Sequence, residues 1–175
     1  MTDIMVDLET LSTSMDAQIL TIGAVAFDRK TFEIKAEFYR RIDVSSCEEI
    51  GLRKNSSTVE FWEKQSSNAR KEAFNAENRV HIKDAMFDFV QFWEKNKAEK
   101  FWCNGANFDE PILSTVFERL NFYKPWKFWN VRCVRTFLAT GGRSMKDYGW
   151  AAHHALTDCK NQVLALKDVS EKLKA

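Results

Sequence analysis

Asp7 and Glu9, in the run Asp3-Ile4-Met5-Val6-Asp7-Leu8-Glu9-Thr10, stand one residue apart at the end of an apolar stretch. In an extended strand alternate side chains share a face, so these carboxylates project together while Ile4, Val6 and Leu8 take the other side. Two carboxylates so placed repel, and a divalent cation held by oxygen ligands is the simplest way to keep them together. Two more acids stand where the predicted secondary structure changes: Asp109 at a helix start and Asp158 in the opening turn of the last helix. Either, taken alone, has an ordinary explanation as an acid meeting free backbone N–H groups and the positive end of a helix dipole. Asp7 and Glu9 have none, because the first strand of a mixed sheet is usually central and an unpaired buried carboxylate is costly.

Several carboxylates are what two divalent ions roughly 4 Å apart require, and such a pair clamps the attacking and leaving oxygens of a phosphodiester during cleavage. Oxygen donors suit magnesium or manganese. A base must also take the proton of the attacking water, and Ala151-Ala152-His153-His154-Ala155-Leu156-Thr157-Asp158 offers two histidines. Five residues correspond to about 140° of helical rotation, so His153 shares a face with Asp158 only if it precedes the helix. On a loop there it could swing over the metals, whereas His154, four residues away, could lie beside Asp158 and hydrogen-bond it. The spacing leans towards His153. His81, in a polar context with no acidic partner pattern, reads as a surface residue.

The elements that must hold these groups follow from periodicity. Ile19 to Phe27 reads as a second strand, and Ile34, Ala36 and Phe38, alternating with Glu33, Lys35 and Glu37, as a third; short links make the three an antiparallel meander. A polar segment follows from Val44 to about Asn55. Ser57-Thr58-Val59-Glu60 fits a capping box that opens a short helix carrying Phe61 and Trp62. Residues from Ser66 to Arg79 read as loop and short helix. Ala85, Met86, Phe89, Val90 and Trp93 recur at helical spacing, and Phe101-Trp102-Cys103 reads as a strand. A helix opens near Asp109 with Pro111 in its first turn, Val131 to Leu138 reads as another ended by Gly141-Gly142, and a long final helix carries Leu156, Cys159, Val163, Leu166, Val169 and Leu173. Strands first and alternation afterwards indicate an α/β fold, a mixed sheet flanked by helices.

A chain of 175 residues with 45% hydrophobic content suits one core, so residues 1–175 read as a single domain. A net charge of +1 selects no partner class. The four cysteines form no Cys-x-x-Cys pair, which suggests neither a zinc site nor a disulfide framework. With no secretory-type leader and no apolar run of membrane-spanning length, a cytoplasmic protein without membrane contact is the expectation.

The segments Asp7-Leu8-Glu9-Thr10, Asn104-Gly105-Ala106-Asn107-Phe108-Asp109 and His153-His154-Ala155-Leu156-Thr157-Asp158, in that order, resemble the three motifs of the DEDDh (DnaQ-like) exonuclease family. That resemblance implies a ribonuclease-H-like fold and 3'-5' exonuclease chemistry with two metal ions, Mg2+ or Mn2+. It implies Asp7, Glu9, Asp109 and Asp158 as metal ligands and catalytic groups, His153 as general base, and Thr10, Leu11, Asn107 and Phe108 beside the terminal nucleotide. The pattern Thr58 to Gln65 and the run Trp129-Asn130-Val131-Arg132 are similar to small bacterial and phage enzymes described as exonuclease-VIII-like or as 3'-5' exoribonucleases. One departure stands out: many relatives have His-Asn ahead of the small residues of the second motif, and this chain has Asn104-Gly105.

The implied partner is single-stranded or 3'-overhanging RNA or DNA, with a homodimer partner as a source of extra surface by family analogy. Arg132, Arg135, Arg143 and Lys146 supply local positive charge, read equally well as a solvated face or as phosphate contacts. Trp93 and Trp102 have core-like periodicity, whereas Trp62, Trp126, Trp129 and Trp150 stay open as stacking surfaces. Two other readings compete. A binding module without catalysis predicts an eroded acidic set, and an endonuclease on the same scaffold does not require histidine five residues before aspartate. No linear motif separates RNA from DNA.

Overall fold

The acidic strand lies in the middle of the sheet. In the computed structural model, which describes residues 1–148 and 153–174, β1 (Thr2–Thr10) pairs antiparallel with β2 (Ile19–Asp28) on one side and parallel with β5 (Ala98–Cys103) on the other. The antiparallel meander continues into β3 (Ile34–Ile42), and two short parallel edges, β4 (Arg79–Val80) and β6 (Val131–Cys133), complete the order β4-β3-β2-β1-β5-β6. This is the expected mixed sheet.

The period of two along β1 sorts its side chains into two layers. Ile4, Val6 and Leu8 face α4 (Ile82–Lys95) and α5 (Asp109–Arg119), whose Phe89, Ile112, Val116 and Phe117 close that core. Met5 faces the opposite layer with Val25 and Phe27, against α6 (Val134–Thr140) and α7 (Ala155–Lys172). A third, smaller cluster of Leu11, Leu20, Trp62 and Ala73 packs α2 (Ser56–Glu63) and α3 (Ser67–Ala73) against the end of β1. Among the described residues no helix is long and apolar enough to cross a membrane.

Several local expectations are corrected. The polar segment after β3 contains α1 (Val44–Glu49), started by the Asp43 carboxylate accepting from Ser45 N; Cys47, fully buried, supplies the inward side that its polar neighbours hide in the sequence. The cap of α2 is Asn55, whose Oδ1 accepts from Thr58 N at 2.8 Å, so no capping box forms at Ser57. Val131–Cys133 is strand, because it adds to the open edge of β5, and helix begins only at Val134. His81 does have an acidic partner, Glu49 Oε2 at 3.2 Å, and it caps α4. Trp102 is only half-buried, with its indole N–H donating to Asp3, whereas Trp126 is 2% exposed and donates to Glu110. Trp129 is exposed; Trp150, with Ala151 and Ala152 of the third motif, lies outside the described residues.

One glycine decides where α7 sits. Gly23 is the register partner of Asp7, and a Cβ there would stand 2.3 Å from the carbonyl carbon of Ala155, the first residue of α7. The helix start therefore rests directly on the backbone of β2, and the Cys159 thiol donates to Gly23 O. A Gly23→Ala substitution must push α7 outward. We expect it to lower the unfolding free energy by about 1–3 kcal/mol, read from urea denaturation; an unchanged midpoint would show that α7 is not seated by this contact.

Candidate active site

The parallel strands β1, β5 and β6 all run towards the same edge of the sheet, and the four predicted acids meet there. Asp7 and Glu9 come from the last residues of β1, which project beyond β5. Asp158 comes from the first turn of α7, and Asp7, Glu9 and Asp158 each offer a carboxylate oxygen within 4.8 Å of the others. Asp109 is the first residue of α5, and its Oδ1 accepts from Leu8 N across 3.1 Å, which ties the helix start to the strand between the two other acids. All four line one cleft of about 400 Å³. The N-terminal positions of α5 and α7 help to hold these anions, since free N–H groups and the helix dipole favour negative charge there.

Compensation within the chain is sparse. The Gln162 amide donates to Asp7 Oδ1 at 2.9 Å, and Arg135 is the cation that lines the cleft. Asp158 Oδ1 is buried without a hydrogen-bond partner among the described residues. Burial, then repulsion from Asp109, Glu9 and Asp158, holds the Asp7 pKa well above the usual carboxylate range, opposed by the Gln162 amide. Burial first, then Asp158 and Asp109, pushes Glu9 up to about 8. Burial raises Asp109 to about 7 against the pull of the Leu8 N–H, and raises Asp158 to about 6. These are acids held together against their preference, with an unfilled acceptor among them.

His153 precedes α7, as its spacing required, in a left-handed backbone conformation with φ +47°. Its half-buried ring packs edge-on against Phe61 at 5.4 Å and Trp62 at 6.0 Å. Burial lowers its pKa, so the imidazole is neutral near pH 7 and free to accept a proton. His154 takes a separate role. Its Nδ1 accepts from Thr157 N, so it caps α7, and its ring stacks on Tyr39 at 4.9 Å rather than meeting the Asp158 carboxylate.

A second cavity of about 340 Å³ opens beside the acids and shares Leu8, Glu9, Phe108 and His153 with the cleft; Thr10, Phe61 and Trp62 form its far wall. Asn107 lines the acidic cleft and Phe108 lines both spaces. Leu11 lines neither: it is turned inward, 6% exposed, against Leu20 and Trp62, whose indole N–H is fixed by Thr10 O at 2.9 Å. Gln162 escaped the sequence reading. Its signal was a polar residue four after Asp158, inside the apolar stripe of Cys159, Val163 and Leu166.

Comparisons with known proteins give the family and the fold. Residues 2–170 match the family described as the 3'-5' exoribonuclease Rv2179c-like domain. An exodeoxyribonuclease of Enterobacteria phage T4 is 27% identical over 200 residues, spanning 95% of this chain and 88% of that protein. Among solved structures, the nuclease domain of 3'hExo, a DEDDh family member bound to rAMP, superposes with TM-score 0.62 at 13% identity over 99% of this chain and 92% of that one. Cell-death related nuclease 4 (CRN-4) gives TM-score 0.69 at 16% identity over 98% of this chain, and an E. coli ExoI–ssDNA complex 0.66 at 14% over 99%. This chain spans 64% and 41% of those two proteins, and the likeness to all three is one of fold.

The raised pKa values have a consequence for stability. Between the ordinary carboxylate range near pH 4 and the raised values of about 6 to 8, the folded chain keeps protons that the unfolded chain has released. These groups therefore favour folding at low pH and lose that contribution as pH rises through their folded values. In EDTA the melting temperature should fall by a few degrees between pH 5.5 and 8.5, and Asp158→Asn should reduce the fall; a variant that melts more steeply with pH than the wild type would contradict this.

Proposed function

This chain belongs to the 3'-5' exoribonuclease Rv2179c-like domain family, within the DEDDh exonucleases, and from that premise we propose that its four clustered acids and His153 are the site of 3'-5' hydrolysis. The observation that carries the assignment is the meeting of Asp7, Glu9, Asp109 and Asp158 in one cleft where, among the described residues, an amide, backbone N–H groups and one guanidinium offset them.

The donor set fits divalent ions. It consists of carboxylate oxygens, it carries excess negative charge, and Asp158 Oδ1 lacks a partner among the described residues. Asp7, Glu9, Asp109 and Asp158 would hold two such ions, Mg2+ or Mn2+, which when bound neutralise the acids and polarise the scissile phosphate. His153 accepts the proton of the attacking water, for which its neutral ring and its place over the cleft are suited. Its ring is backed on one side by the aromatic wall of Phe61 and Trp62.

The cavity walled by Phe61, Trp62, Phe108 and Thr10 has room for one nucleoside and offers aromatic surface to its base, so it takes the 3'-terminal residue, with Asn107 at the mouth of the cleft. Leu11 backs that wall by packing against Trp62. The substrate is a single-stranded or overhanging 3' end of RNA or DNA; solved neighbours include an ExoI–ssDNA complex and a 3'-exonuclease described for 3'-end specific recognition of a histone mRNA stem-loop. A second copy of the chain would extend the bound strand, and cytoplasmic nucleic acid is the natural substrate pool. A binding module without catalysis has no use for four intact acids beside a neutral histidine.

Matched RNA and DNA oligonucleotides labelled at the 5' end, incubated with Mg2+ or Mn2+, should give ladders that shorten from the 3' end and that EDTA abolishes. Asp7→Ala should lower the rate by at least about a thousandfold; digestion at the wild-type rate would sink the assignment. His153→Ala should lose about a hundredfold or more, far more than His154→Ala, and equal losses would mean that the proton goes elsewhere.

A further inference from the structure

The cleft has a third compartment. On the side away from His153 it opens into a cavity of about 480 Å³ lined, among the described residues, by Asn104, Arg135, Ser144, Met145 and Lys146. The acidic cleft shares Asn104 and Arg135 with this cavity and shares His153, Phe108 and Glu9 with the aromatic one, while the two outer cavities share no described residue. The order across the surface is thus aromatic, acidic, basic.

Phosphodiester hydrolysis fixes what each side must hold. Water adds to phosphorus as the bond to the 3'-oxygen of the preceding nucleotide breaks, and the two oxygens lie in line on opposite faces of the phosphorus. The proton of the water passes to His153, and the departing oxygen leaves as the new 3'-hydroxyl once protonated from solvent. The departing strand must therefore lie away from His153, and the basic cavity, whose described lining excludes His153, is the compartment that adjoins the cleft there.

Arg135 is built to meet it. The guanidinium lies beside Gly105 at ordinary van der Waals distance, and its Nη2 makes one long bond, 3.4 Å, to Asn104 O. Among the described residues Arg135 and Lys146 form no ion pair, and both are exposed. Arg135 thus keeps donors in a planar fork suited to a phosphate, and Lys146 adds a second positive charge at the same cavity. At the junction of the two compartments Asn104 carries a buried side-chain oxygen without a partner among the described residues. We propose that Arg135, Lys146 and Asn104 form a subsite for the nucleotide immediately 5' to the scissile bond, with Arg135 and Lys146 gripping the backbone phosphates upstream. This rests on the exonuclease reading above and makes the substrate a chain of at least two nucleotides rather than a mononucleotide ester.

Two substrates with the same terminal nucleoside separate this subsite from the chemistry: a single-stranded oligothymidylate hexamer, and thymidine 5'-monophosphate p-nitrophenyl ester, which has no upstream nucleotide. For the double variant Arg135→Ala, Lys146→Ala, the ratio of kcat/KM on the hexamer to that on the ester should fall about tenfold or more. Most of that fall should lie in KM, and Arg135→Lys should recover part of it. The salt dependence of hexamer binding should become shallower by roughly 1.4 in log–log slope, because two phosphates of the single strand would no longer be neutralised by the protein. Equal losses on both substrates would overturn the proposal and show that Arg135 serves only to offset the acids, as would an unaltered salt slope. Wild-type protein that cleaves neither substrate would instead overturn the exonuclease reading itself.

Discussion

Mutual repulsion among four clustered carboxylates, three of them buried and Asp7 partly so, is the constraint around which this chain is arranged. β1 shows the alternative on the same face. Asp3 is fully buried, and it is answered by two bonds from the Arg29 guanidinium and one from the Trp102 indole. Four residues further on, Asp7 receives one amide bond and faces three other acids. A buried acid can be matched fully by the chain when it serves the fold. Near Asp7 the fold withholds that match and brings more acid in through the starts of two helices.

The arrangement needs rigid carriers, because groups that repel will separate if they can. Central placement of β1 supplies one carrier, with pairing on both edges. Asp109 is locked to the backbone of Leu8, and Asp158 is set by the seat of α7 on Gly23. The third motif is fixed from the other side as well. The His154 ring stacks on Tyr39, whose hydroxyl donates to Glu72, and Glu72 also accepts from Arg41. That knot holds the residue beside His153 to β3 and α3, so the histidine's strained backbone is enclosed by well-fixed neighbours.

What the sequence made legible was whatever depends on short periods. Alternation placed Asp7 and Glu9 on one face, helical spacing found α4, α5 and α7, and the five-residue gap put His153 ahead of its helix. Features that depend on partners far along the chain were hidden. Val131–Cys133 has no strand signature of its own and becomes one only by extending β5. Gln162 reads as a polar interruption until the helix is laid against β1, and the choice of Asn55 over Ser57 as a cap turns on one backbone conformation. The basic residues between the second and third motifs looked alike in sequence; only the folded chain distinguishes Arg135, by placing it on the wall of the acidic cleft.

The seat of α7 on β2 also fixes when the site comes into being. Asp7 and Gln162 are separated by 155 residues, and Asp158 and His153 arrive with the same late segment. A chain emerging from the ribosome has its first two acids long before it has the others, so the nascent protein holds an incomplete set until the last helix docks. Loss of that helix by truncation would remove Asp158 and Gln162 and uncover the apolar layer of Met5, Val25 and Phe27 together. For an enzyme that destroys nucleic acid, synthesised beside the messenger that encodes it, the order of the motifs along the chain acts as a safety catch.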